Sequence, residues 1–210
     1  MFYCPYVNMT VNPYRGMQMN SLIRVLHASP NSPAVDVYAN GNLIVKNLAY
    51  KEVSSYLPVP SGNYNIKVFP TGQTKKPVIN TNINIPENSV FTIAAIGTLP
   101  NISLFPIQQP ITGQNSGKSC VRFVHLSPNA PAVDIQLSDG TKVFTNVAFK
   151  GIAKYISVNA GTYTFKVVPT GTNNVVLTVP NIKLNPNNYN TIYAVGLVGE
   201  SPPLEAILVS

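Results

Sequence analysis

The chain has 210 residues, about 1.4 domains at roughly 150 residues apiece, which admits one large domain or two small ones. Hydrophobic residues make up 45% and charged ones only 10%, which excludes an acidic disordered tail, and polar positions filled by Asn, Thr and Ser exclude a helical bundle. The formal charge of +7 comes from 14 Lys+Arg against 7 Asp+Glu, yet the bases are scattered and only Lys75 and Lys76 adjoin, so no basic stripe points to nucleic acid.

Residues 1–20 read as an extended arm. Phe2, Tyr3, Tyr6, Val7, Val11, Tyr14, Met17 and Met19 are too apolar for a solvated tail, and Pro5, Pro13 and Gly16 preclude a helix. The arm has neither the basic start nor the apolar stretch of about 7–15 residues of a secretory leader. No window reaches the roughly 18 apolar residues that would span a bilayer, so membrane insertion is not expected.

Strand signals follow at short intervals. Residues 21–27, 34–39, 42–46, 53–58, 63–69, 77–85, 90–97 and 102–106 are rich in Val, Ile, Tyr and Thr or alternate in polarity. Asn40-Gly41 reads as a type I′ hairpin turn, and Asp139-Gly140 is read the same way. Residues 107–119 are Gln-, Gly-, Ser- and Pro-rich and read as a linker. Beyond it the chain repeats itself: RVLHASPNSPAVD from Arg24 recurs as RFVHLSPNAPAVD from Arg122, PSGNYNIKVFPTG from Pro60 as NAGTYTFKVVPTG from Asn159, and FTIAAIG from Phe91 as NTIYAVG from Asn190. The organisation is therefore an arm at 1–20, a first domain at 21–106, the linker and a second domain at 120–210. Eight strand signals in so short a unit predict an all-β fold of two tandem immunoglobulin-like β-sandwich domains. Tyr64 and Tyr163, each two residues past a turn glycine, are candidates for a tyrosine corner.

The pattern R-x-x-H-x-S-P-N-x-P-A-V-D, followed by G-x-Y-x-x-x-V-x-P-T-G, resembles a bacterial family of small sandwich domains of unknown function. The resemblance covers residues 22–106 and 121–209 and implies tandem sandwiches on surface and secreted proteins. It implies no activity, cofactor or catalytic residue.

The one constellation that invites a catalytic reading is Arg24, His27 and Asp36, repeated as Arg122, His125 and Asp134, with Ser29 or Ser127 as nucleophile. The favoured alternative is a structural polar knot, in which Arg pairs with Asp and His bonds the S-P-N-x-P turn between them. The His and Cys residues lie too far apart in sequence to suggest metal-ligand spacing, and PTGQTKK lacks the spacing of a phosphate loop. No enzyme, metal or cofactor is expected.

Cys4 lies in the arm and Cys120 at the entry to the second domain, so they are not equivalent positions of the repeat. The residues from Cys4 to Ser21 span up to about 55 Å at about 3.3 Å each, which lets Cys4 reach Cys120 of its own chain or of a neighbour. Two free thiols in a reducing cytoplasm are the alternative, and between a bond within the chain and one between chains the sequence does not choose; the reading taken forward is an inter-subunit Cys4–Cys120 disulfide. The arm then makes a structural subunit of a bacterial surface, spore-coat or fibre assembly, a homo-oligomer or filament, deposited from a mother cell or after loss of a leader. Other surface proteins and anionic polysaccharide are the further partners, and a cell-wall or polysaccharide binding module is the alternative.

Overall fold

The structure is a computed structural model that describes Cys4 and residues 20–111 and 116–210. Of the arm expected from the sequence, Phe2, Tyr3, Tyr6, Val7, Val11 and Tyr14 lie outside the described residues. Every regular element among the described residues is a strand, so the all-β expectation holds. Residues 20–111 belong to one compact unit, and Cys4 with 116–210 to another.

In the first unit β1 is Ser21–His27, β2 Val35–Ala39, β3 Asn42–Leu48, β4 Leu57–Val59, β5 Gly62–Pro70, β6 Ile79–Ile85, β7 Val90–Thr98 and β8 Asn101–Gln109. They form two four-stranded sheets in the orders β4-β1-β7-β8 and β3-β2-β5-β6. The β1–β7 pair is parallel, with Arg24 beside Thr92, and its neighbours β4 and β8 are antiparallel. Alternation makes the sandwich: Val25, Val35, Val37, Ile66, Val68 and Ile79 point between the sheets and form the core. Arg24, Asp36, Asn65 and Lys67 alternate with them and therefore point outward.

The second unit repeats this plan. Its strands are β9 Lys118–His125, β10 Val133–Leu137, β11 Lys142–Val147, β12 Ile156–Asn159, β13 Gly161–Pro169, β14 Leu177–Leu184, β15 Tyr189–Val195 and β16 Glu205–Val209. The sheets are β12-β9-β15-β16 and β11-β10-β13-β14. Val121, Phe123, Ile135, Phe144, Phe165 and Ile192 fill its core. Each sandwich thus pairs four strands with four, where an antibody constant domain pairs four with three.

Local expectations are corrected in two places. Asn40 and Gly41 both have positive φ, as a type I′ turn requires, but of Asp139 and Gly140 only the glycine does. The second copy carries one more residue here, and Gly140 N bonds Leu137 O while Leu137 N bonds Thr141 O, so the turn precedes a bulge at Gly140. The second correction concerns the linker read from residue 107. Strand β8 runs on through Gln109, and Ile107 and Gln109 are buried, because their side chains alternate with solvent-facing Pro106 and Gln108.

Candidate functional site

The loop after β1 is closed from inside. His27, at the strand's end and buried, directs Nε2 to Pro33 O at 3.0 Å, while Ser29 N approaches Nδ1 at 3.4 Å. Since the carbonyl accepts, the proton sits on Nε2, and burial pushes the pKa down and keeps the ring neutral. Ser29 Oγ donates to Gly97 O at 2.6 Å. In the second unit His125 Nε2 meets Pro131 O at 3.1 Å, and Ser127 Oγ donates to Gly196 O at 2.7 Å. The serine hydroxyls are thus committed to backbone carbonyls. The cavity lined by His27 and Ser29 holds about 10 Å³, space for about one water and no substrate.

Asp36 is elsewhere. Its Oδ1 accepts from Asn47 N at 2.8 Å and Thr71 Oγ1 at 3.4 Å, and its Oδ2 accepts from Gly72 N at 3.0 Å. It therefore ties the positive-φ bulge at Asn47 to the P-T-G turn, joining the two halves of the sequence signature. Asp134 does the same through Asn146 N at 2.8 Å and Thr170 Oγ1 at 2.9 Å, and pairs with Lys142 Nζ at 2.7 Å. The Asn47 and Gly72 N–H groups hold the Asp36 carboxyl below the usual range, and the Lys142 ammonium, ahead of Asn146, does so for Asp134.

The expected Arg–Asp pair does not form in either unit. Arg24 alternates with core-facing Val25 in one sheet and Asp36 with core-facing Val35 and Val37 in the other, so the two side chains leave opposite faces of the sandwich. Arg24 instead donates Nε to Thr92 Oγ1 at 3.0 Å and lies 4.5 Å from the Tyr56 ring centroid. Arg122 repeats this with Thr191 at 3.1 Å and Tyr155 at 4.5 Å. The Thr and Tyr partners were missed in the sequence, although both recur at matching places in the two copies.

Around Arg122 the copies diverge. Cys4 and Cys120 form a disulfide within the chain, one of the two pairings their reach allows. Cys4 N also donates to Tyr155 O at 3.3 Å, just before edge strand β12. Cys4, Cys120, Tyr155 and Tyr189 pack as one cluster, with the two tyrosine rings edge to face at 5.0 Å. Cys120 lies two residues before Arg122, on the same outward face, so Cys4 is fastened beside the Arg–Thr–Tyr group. In the first copy Leu22 and Tyr56 stand at the places of Cys120 and Tyr155 and are 38% and 37% exposed, whereas Tyr155 is 3% exposed. One face carries Cys4; at the duplicate place in the first unit no cysteine stands.

The tyrosine-corner residues tie strand to turn. Tyr64 OH donates to Pro60 O and Tyr163 OH to Asn159 O, each at 2.8 Å. Among the described residues no cluster of three or more His, Cys, Asp or Glu is placed to hold a metal ion. No helix among them is long and apolar enough to cross a membrane.

A family model described as "Domain of unknown function (DUF4397)" matches residues 21–136 and 137–210. The chain belongs to this family. The curated proteins contain no match to it. Among solved structures, the chain is similar to "The Bacillus anthracis TIE protein", at 15% identity over 89% of this chain and 34% of that one, with a TM-score of 0.27. It thus spans about a third of that protein's chain. A second similar structure is titled "Product complex of a multi-modular glycogen-degrading pneumococcal virulence factor SpuA", at 14% identity over 83% of this chain and 20% of that one, with a TM-score of 0.27. A third is titled "Alpha-glucan binding by a streptococcal virulence factor", at 13% identity over 85% and 93% of the two chains, with a TM-score of 0.25.

Proposed function

We propose that this DUF4397 protein is a non-enzymatic structural subunit of a bacterial surface, spore-coat or fibre assembly, linked from copy to copy by its N-terminal arm. The observation that carries this reading is the seat of Cys4. A residue from an apolar, proline-broken segment is held by a disulfide, a backbone hydrogen bond and tyrosine packing at a sheet edge of the second unit. A seat that takes the arm of its own chain takes the same arm from a neighbour, and such an exchange, repeated head to tail, builds an open chain. Disulfides persist in oxidising surroundings, which suits a surface or extracellular place. The other partners are surface proteins.

The test starts from protein purified under reduction and reoxidised at high concentration, followed by non-reducing gels and electron microscopy. A ladder that collapses on reduction is expected, and Cys4→Ser or deletion of residues 1–20 abolishes it. Monodisperse monomer at every concentration, unchanged by either variant, overturns the reading. A second reading, a polysaccharide-binding module, is favoured by an ordered amide face on the first unit.

A further inference from the structure

Strands β5 and β6 carry five asparagines on their outward face. Asn63 and Asn65 on β5 stand beside Asn84 and Asn82 on β6, and Asn80 stands beside Lys67. The amides interlock: Asn65 Nδ2 donates to Asn80 Oδ1 at 3.1 Å and to Asn82 Oδ1 at 3.0 Å, and Asn84 Nδ2 donates to Asn63 Oδ1 at 2.9 Å. Asn40 Oδ1 fixes the neighbouring backbone by accepting from Asn65 N at 2.9 Å. The arrangement uses both Nδ2 protons of Asn65 and leaves the Nδ2 groups of Asn80 and Asn82 to donate outward.

Folding does not call for these residues. Asn is depleted in strands, and the second copy builds the same sandwich without them. There Thr162 and Thr164 hold the places of Asn63 and Asn65, and Thr178 stands beside Lys166. The second copy also breaks its register between Tyr163 and Phe165, whereas the β5–β6 ladder is unbroken from Gly62 to Val68. The first unit therefore presents a continuous strip of amides, about 14 Å long on β6 from Asn80 to Asn84, and the second does not.

Each carboxamide offers a donor and an acceptor side by side. A sugar hydroxyl also donates and accepts, so a row of amides complements a row of hydroxyls. Amides already held by their neighbours lose little freedom on binding. A dry protein interface is disfavoured here, because interface cores are apolar and this face is amide and ammonium. Half-buried Tyr38, beside Lys67 and edge to face with Phe69 at 5.4 Å, supplies an aromatic rim.

We propose that the amide face of β5 and β6 binds an extended polysaccharide, with Asn65, Asn80, Asn82 and Asn84 meeting its hydroxyls; this site rests on the polysaccharide-binding reading. The full-length oxidised protein is run through native gels containing glycogen, hydroxyethyl cellulose or glycol chitin, beside N65T/N82T/N84T and Lys67→Thr. Retardation of the wild type is expected in at least one gel. The triple variant weakens it by about tenfold or more, from several lost hydrogen bonds, without lowering the melting temperature, since Thr suits a strand. Lys67→Thr changes it less than the triple variant does. Equal retardation of the triple variant overturns the site while leaving the reading, and no retardation in any gel overturns the reading itself. A triple variant that loses self-association instead of retardation assigns the face to a second copy and overturns the proposal.

Discussion

Asp36 and Asp134 hold their folds by accepting backbone N–H and hydroxyl protons from a bulge and a turn that are far apart in sequence. Hydrogen bonds to a charged group contribute about 1.5–3 kcal/mol each to stability, so Asp36→Ala is expected to destabilise the first unit by about 2–3 kcal/mol and Asp134→Ala the second similarly. Denaturant titration of each variant checks this; losses under about 0.5 kcal/mol, the size of an ordinary surface change, would make the carboxylates decorative. The pH behaviour follows from the same groups. Both carboxyls are depressed in the folded state, so their stabilisation is complete above about pH 3.9, the unfolded value, and is lost as pH falls below it. His27 and His125 are also depressed, here by burial. The folded state disfavours their protonation, and stability that is full above about pH 6.5 drains away as pH falls below it. The melting temperature is thus expected to decline in two stages on acidification. The double variant His27→Gln with His125→Gln should flatten the upper stage; an unchanged profile would refute the assignment.

At the scale of the element, the turn between β7 and β8 turns on one residue. Gly97 has φ +89°, and a Cβ there would run into the backbone oxygen of Asn101; Gly196 is placed in the same way against Pro203. Gly41 also has positive φ, but nothing lies within 4 Å of the Cβ position. Gly41→Ala therefore costs about 1–2 kcal/mol from the left-handed backbone alone, and Gly97→Ala costs more, because backbone has to shift as well. Melting curves of the two variants order them; equal losses would contradict the close approach. Much at this scale was legible in the sequence: Val and Ile at alternate positions marked β1, β5 and β7 to within a residue or two. The Asp139-Gly140 turn was misjudged because a two-residue motif does not show whether the strands beyond it pair in the register that motif needs. The Arg24–Asp36 pairing failed for a deeper reason. Alternation does show both side chains leaving the core, but only the strand order reveals that β1 and β2 belong to opposite sheets. The alternating asparagines of β5 and β6 were visible in principle and acquire meaning only when register sets them side by side.

For the whole molecule, the duplication makes the first copy a control for the second. Leu22, Arg24, Tyr56 and Thr92 reproduce the group at Cys120, Arg122, Tyr155 and Thr191 without the cysteine, so the disulfide is a feature of the second unit. The bridge joins residues 116 apart in sequence. Chain entropy alone assigns a loop of that size a stabilisation of about 5 kcal/mol, but the loop encloses a unit with its own core, whose folding already shortens it, so the gain is smaller. Calorimetry is expected to resolve two transitions, identified by Asp36→Ala lowering one and Asp134→Ala the other. Reduction, or Cys4→Ser, should then lower the Asp134-marked transition and leave the Asp36-marked one in place. Equal displacement of both would mean that the arm serves the whole chain and is no appendage of the second sandwich, and an arm so embedded would be a poor candidate for exchange between copies.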